Sequence, residues 1–230
     1  MSTDRKLAWA ALILGVAGLI PLIHESARTA TAVALVILIA VIALGFIEWK
    51  MNRTVLTTTC LAKKVILKDS SGRAAVLRRT QTVRVNFGSV DQLWFRNMVA
   101  DGQLGPVRID GCAPSQITSM GCLQSYAIHL KPALNRGDER TITLECEVYD
   151  SFLDDHEGLL HEVALDTRKV ELEVELPENR PCRNASLMLE AGGEPARTLE
   201  KPLIYNGGRC IRSVIKNPKT GFTYHLHWDW

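Results

Sequence analysis

The chain has almost no net charge. Lys and Arg number 27 against 25 Asp and Glu, a formal balance of +2, and a balance so near neutral argues against a strongly basic binder of nucleic-acid polymers. It has no CxxC pair. Cys60, Cys112, Cys122, Cys146, Cys182 and Cys210 are scattered, and no spacing among them matches a zinc site. G-x-S-x-G, P-loop and G-x-G-x-x-G motifs are all missing, and with them the common signatures of a nucleophile elbow or a phosphate cradle. There is no internal repeat and no long linker. Bulk disorder is excluded, because 47% of residues are hydrophobic and 23% charged. The expectation from these absences is a protein that is not an enzyme, with no catalytic residues, no cofactor and no metal.

Two histidine groups come nearest to a metal motif. His156-Glu157-Gly158-Leu159-Leu160-His161 has one residue too many for HExxH. Five residues turn a helix by about 500°, so the imidazoles would not share a face. Asp154, Asp155 and Gly158 suggest a loop there instead. His225 and His227 lie two apart and would share a strand face, but no third ligand is apparent, which favours a surface or core pair. Gly192-Gly193 and Gly207-Gly208 read as turns.

What the sequence does have is two long uncharged runs near its start. Leu7 to Ile23 is a run of 17 residues and Ala32 to Ile47 a run of 16, separated by the polar stretch His24 to Thr31. As helices they would each reach roughly 24–26 Å, against a hydrocarbon core of about 30 Å. Trp9 and Trp49 stand near the open ends of the pair, where amphipathic rings favour the headgroup layer. These features predict a transmembrane helical hairpin over residues 1–50, with helices at about 7–23 and 32–49. Gly15, Ala17 and Gly18 would allow close helix packing and oligomerisation. A cleaved signal peptide for the first run, and a buried soluble helix pair, are the competing readings. Arg5 and Lys6 precede the first run and Lys50, Arg53, Lys63 and Lys64 follow the second. By the positive-inside rule both termini are then cytoplasmic. Cysteines there would stay reduced; a disulfide framework is the alternative if the orientation is reversed.

Residues 51–230 read as a β-rich domain. Val65-Ile66-Leu67-Lys68, a turn at Asp69-Ser70-Ser71-Gly72, and Ala74-Ala75-Val76-Leu77 form a strand, turn and returning strand. Thr80 to Phe87, Arg140 to Tyr149, Lys169 to Leu176 and Phe222 to Trp230 alternate polar and apolar residues. Leu123 to Leu130 is a further strand. Ser89 to Ala100 reads as a short helix, with Ser89 and Gln92 as a capping box. Turn signals between short strands predict an all-β sandwich or barrel, and Pro132, Gly137, Pro177 and Gly221-Phe222-Thr223-Tyr224 give the second half an immunoglobulin-like cast.

Charge is segregated along this domain. Lys50 to Arg108 holds eleven basic and three acidic residues, and Asp138 to Glu178 holds three basic and fourteen acidic. The basic part could meet anionic lipid, line a pocket for an anion, pair with another subunit, or simply balance the acidic part on folding. Arg78, Arg79 and Arg84 are the candidate ligand-binding residues, because guanidinium presents a planar fork to phosphate oxygens. Trp94, Trp228 and Trp230 could stack on a base or pack in the core.

A short two-helix hairpin leading directly into a β-domain resembles the two-transmembrane β-domain effectors of cyclic-oligonucleotide antiphage defence. The resemblance is one of architecture, resting on Leu7–Ile23, Ala32–Ile47 and the strand pattern from Val55 to Trp230. It implies a β-domain that senses a cyclic nucleotide or other nucleotide signal, a homo-oligomer, and helices that disrupt the lipid bilayer of the bacterial inner membrane. A membrane-anchored sandwich that recruits a protein partner without pore activity is the alternative, and a membrane-bound enzyme comes third.

Overall fold

The computed structural model describes residues 37–38, 55–191 and 196–230. Among them lie fourteen strands: β1 (Leu56–Leu67), β2 (Ala74–Val85), β3 (Ser89–Met98), β4 (Gln103–Ile109), β5 (Gln116–Met120), β6 (Leu123–Asn135), β7 (Glu139–Tyr149), β8 (His156–Glu162), β9 (Lys169–Glu175), β10 (Asn184–Ala191), β11 (Arg197–Glu200), β12 (Leu203–Tyr205), β13 (Cys210–Lys216) and β14 (Phe222–Asp229). A seven-stranded sheet runs in the order β12-β13-β9-β1-β2-β7-β4. A four-stranded sheet runs β11-β10-β14-β8, and a three-stranded one β3-β6-β5. The β1–β9 pair is parallel and the remaining ladders are antiparallel.

Alternation with a period of two decides which side chains enter the core. In β9, Val170, Leu172 and Val174 are buried while the intervening glutamates face out; in β7, Ile142, Leu144, Cys146 and Val148 are buried. All three sheets contribute to one hydrophobic core, which includes Leu61, Val83, Phe95, Leu144, Leu172, Leu226 and Trp228. The inner face of the large sheet meets the backbone of both smaller sheets: Lys63 on β1 donates to the carbonyl of Leu160 on β8, and Arg79 on β2 to that of Arg96 on β3. The result is a sandwich whose second layer is divided between two sheets. It is not a barrel, because the outer strands β12 and β4 share no ladder.

The β1–β2 hairpin shows how locally this is encoded. The Asp69 carboxylate accepts the backbone N–H of Ser71 at 2.8 Å, as turn-forming Asp side chains do. Gly72 follows at φ 72°, and a Cβ there would stand 1.5 Å from the carbonyl oxygen of Phe152, so only glycine fits.

Several expectations are corrected. The expected fold class, a membrane protein with a helical hairpin, is corrected to an all-β domain over the described residues 55–191 and 196–230. Among the described residues no helix is long and apolar enough to cross a membrane. The segments expected as helices, 7–23 and 32–49, lie outside the described residues except for Ile37 and Leu38, as do Gly15, Ala17 and Gly18. Runs of 17 and 16 apolar residues sit at the short end of the roughly 17–25 that a span uses, so run length by itself does not fix that class. The second half is also no separate immunoglobulin-like unit, since β7, β9, β12 and β13 share the large sheet with β1 and β2. Ser89 to Met98 is strand β3, not a helix. Val90, Leu93, Phe95 and Met98 can be read with either period, and pairing with β6 through Leu93↔Ile128 and Phe95↔Tyr126 decided for the strand. His156 to Glu162 is strand β8 where a loop was expected, because Leu159, His161 and Val163 share its buried side.

Candidate functional site

The division of the second layer creates a cavity. Strand β8 is the edge of the four-stranded sheet and β3 the edge of the three-stranded sheet. Where these edges part, a space of about 340 Å³ opens over the middle of the large sheet, lined from β1, β2, β3 and β8 and the segment after β8. Leu56, Leu61, Leu93, Trp94, Met98 and Leu165 supply its apolar wall, and Lys63, Arg79, Arg96 and His161 its basic groups. Asn97 of β3, at φ 56°, donates from Nδ2 to Glu162 Oε2 of β8 at 2.9 Å, and both residues line the cavity.

Lys63 and Arg79 are direct cross-strand neighbours on the inner face. Their row across the large sheet reads Ser213, Leu172, Lys63, Arg79, Leu144, Ile109. Two like charges thus stand opposed in an otherwise uncharged row, an arrangement that destabilises a sheet unless something compensates it. Neither residue forms an ion pair among the described residues. Lys63 Nζ donates to the Leu160 carbonyl at 2.7 Å. Arg79 makes only long contacts of 3.4 Å, to the Arg96 carbonyl and to Gln81 Oε1. Its Nε is buried without a hydrogen-bond partner, and its guanidinium stands 5.5 Å from the centre of the Phe95 ring. Gln81 is itself held by Thr58, to whose Oγ1 it donates at 2.9 Å.

Burial and mutual repulsion show in the acidities. Desolvation, reinforced by the Arg79 charge, pulls the Lys63 ammonium from 10.5 down to about 8. Desolvation alone draws Arg79 down to about 10. His161 is 5% exposed, and burial, with Arg79 and Lys63 adding to it, holds its imidazole well below the ordinary value, so it is neutral. The site is therefore a basic pocket with a donor-rich floor and an apolar wall, suited to an anion with an apolar body.

The three arginines singled out from sequence part company. Arg79 enters the cavity. Arg78, one residue earlier, points the opposite way and pairs with Glu145 at 2.6 Å. Arg84 is exposed, opposite Glu139 on β7. Lys63 and His161 were missed. The signal was phase: Lys63 alternates in step with Leu61, Val65 and Leu67, Arg79 with Leu77 and Val83, and His161 with Leu159 and Val163.

The other candidates are structural. Trp228 and Trp230 are buried, Trp230 lying under the Arg180 guanidinium at 3.7 Å. Trp94 lines the cavity and donates to Gln92 Oε1 at 3.2 Å. His225 and His227 stack with ring centres 5.4 Å apart, and His225 meets Glu190 at 3.2 Å. His156 and His161 lie on opposite faces of β8, one exposed and one buried. Among the described residues no group of three His, Cys, Asp or Glu side chains is placed to hold a metal ion.

No protein-family model matches the chain, and no curated protein does. Solved structures that resemble it do so weakly. An M1 zinc metallopeptidase from Deinococcus radiodurans aligns at 9% identity with a TM-score of 0.43, over 74% of this chain and 42% of that one. The yeast LTA4 hydrolase bound to bestatin aligns at 12% and 0.44, over 76% and 29%. A nutrient-binding protein of Legionella pneumophila, so described, aligns at 8% and 0.46, over 75% and 67%. The chain thus spans about two fifths of the length of the metallopeptidase. TM-scores below 0.5 bear on neither the chemistry nor the partners of this protein.

Proposed function

We propose that this β-sandwich is a ligand-binding module whose cavity between β3 and β8 takes a small amphipathic anion. The observation that carries the reading is the Lys63–Arg79 pair, two cations side by side on an apolar face, with no acidic partner and an unused guanidinium donor. Burying such charges is costly, and a bound anion offsets that cost. The Leu and Trp wall fits an apolar body attached to the anionic group. Since a cavity of about 150 Å³ holds benzene, one of about 340 Å³ has room for on the order of a dozen non-hydrogen atoms. That is a single acid group with a ring or short chain, a smaller ligand than the cyclic nucleotide implied by the effector resemblance.

Calorimetric titration with phenylacetate and its neutral analogue phenylacetamide tests this. Phenylacetate binds with a preference of at least about tenfold, the equivalent of one charge-assisted contact, and Arg79→Leu removes the preference. Equal affinity for the two compounds, or no binding of phenylacetate or octanoate, overturns the reading. The alternative of a sandwich that recruits a protein partner gains no comparable observation from the site.

A further inference from the structure

An amine at this place is more than a counter-charge. Lys63 lines the cavity beside the Arg79 guanidinium, and among the described residues its one hydrogen bond is the one it donates to the Leu160 carbonyl. That bond leaves the nitrogen lone pair of the deprotonated amine directed elsewhere. We propose that Lys63 captures a carbonyl compound covalently, and that the natural ligand class is a small 2-oxo acid whose carboxylate rests on Arg79 and whose ketone carbon is attacked by Lys63 Nζ. The inference rests on the cavity being an anion site and names the chemistry of its occupant.

Three features support it. A lysine becomes a competent nucleophile when it is desolvated or set next to another cation, and Lys63 is both. With its acidity near 8, roughly a tenth of the amine is neutral at pH 7, against well under a thousandth for an exposed lysine. The charged and titratable groups around it are Arg79 from β2, Arg96 from β3, the neutral His161 and Glu162 from β8, and Cys146 from β7, whose thiol is pushed up to about 11 by burial and so stays protonated. The one carboxylate among them, Glu162, is tied to Asn97. The geometry also separates the two tasks. Arg79 holds the acid group, while the cross-strand neighbour supplies the amine, so the ketone next to the carboxylate is brought to Nζ.

The chemistry balances without any further reagent. Neutral Nζ adds to the ketone carbon, and a proton passes from nitrogen to the former carbonyl oxygen. That oxygen leaves as water with a second proton taken up from solvent, giving a C=N bond that keeps the remaining proton on nitrogen. The iminium restores the positive charge beside the bound carboxylate, and hydrolysis by water reverses every step.

Incubating the whole chain with phenylpyruvate and cyanoborohydride tests the inference, because hydride addition to the imine carbon locks the adduct as a secondary amine. The expected result is one reduced adduct per chain, mapped by peptide mass spectrometry to Lys63, with a rate that rises to half its maximum near pH 8. Lys63→Arg keeps the charge and the fold, and forms no adduct at the cavity; Lys63→Met gives the same result with the charge removed. Adducts spread over exposed lysines such as Lys68 and Lys216, or retained in Lys63→Arg, overturn the covalent inference. If no adduct forms while phenylacetate still binds, the covalent step falls and the anion site stands. If neither compound engages the cavity, both readings fall.

Discussion

Two adjacent rows of the large sheet, one residue apart in sequence, carry the same pair of cations to opposite ends. On the outer face the row reads Arg212, Glu173, Lys64, Arg78, Glu145, Arg108. Lys64 meets Glu173 at 2.9 Å and Glu175 at 3.0 Å, and Arg78 meets Glu145 at 2.6 Å. On the inner face Lys63 and Arg79 sit between Leu172 and Leu144. The basic first half and acidic second half of the chain thus neutralise each other on the outside. The lesson is that charge of the same type, at the same place in the sheet, serves solubility where it is paired and exposed. Where it faces the cavity without an ion-pair partner, it is the feature to be explained by a ligand.

The sharpest way to break this comparison is to swap the arginines. Arg79→Leu should weaken phenylacetate binding about 10- to 100-fold, the loss of one or two charge-assisted hydrogen bonds. Arg78→Leu should change it by less than about twofold, since its partner faces solvent; calorimetry on the two variants decides. Equal effects would mean that the inner row has no special role.

A second contrast concerns stability without ligand. Lys63→Met removes a half-buried cation that has no ion-pair partner among the described residues, and should raise the denaturation midpoint by an amount equivalent to about 1–2 kcal/mol. Lys64→Met loses only a surface pair and should stay within about 1 kcal/mol of the parent. Urea unfolding monitored by tryptophan fluorescence measures both. A lysine that proves stabilising at position 63 would mark the inner pair as structural.

Acidification offers a third. His161 has a folded-state acidity well below its unfolded value, so between the two the unfolded chain binds the extra proton. Stability is therefore complete above about pH 6.5 and declines as pH falls below it, by at most about 1.4 kcal/mol per pH unit for one proton. His161→Gln should flatten that part of the pH–stability curve. By the same sign rule, Lys63 makes the free protein gain stability as pH rises from about 8 towards 10.5, a gain absent in Lys63→Met. The smallest effect belongs to the outer row: Glu145→Gln should cost under about 1 kcal/mol and be screened further by salt.

Much of the sandwich is legible in the chain. Strands β7, β9 and β14 announce themselves by strict alternation, and the β1–β2 hairpin by a turn sequence whose Asp69 and Gly72 do the bending. Strand β3 was hidden because Val90, Leu93 and Met98 fit a helical spacing as well as a strand, and only the β6 ladder separates the two. The site was half legible. A strand that carries two consecutive cations must turn one of them inward when its neighbours alternate, and both Lys63-Lys64 and Arg78-Arg79 obey that rule.

The sequence by itself determined that most of the chain from Val55 onward is built of strands and that no familiar catalytic motif is present, because period and composition are local properties. Only the tertiary structure decided the partners. That β1 lies between β2 and β9, that Lys63 and Arg79 become neighbours, and that the edges of two small sheets part above them are outcomes of pairing between residues up to about a hundred positions apart. Strand pairing follows from burying every apolar face at once, and no local stretch of sequence contains that requirement.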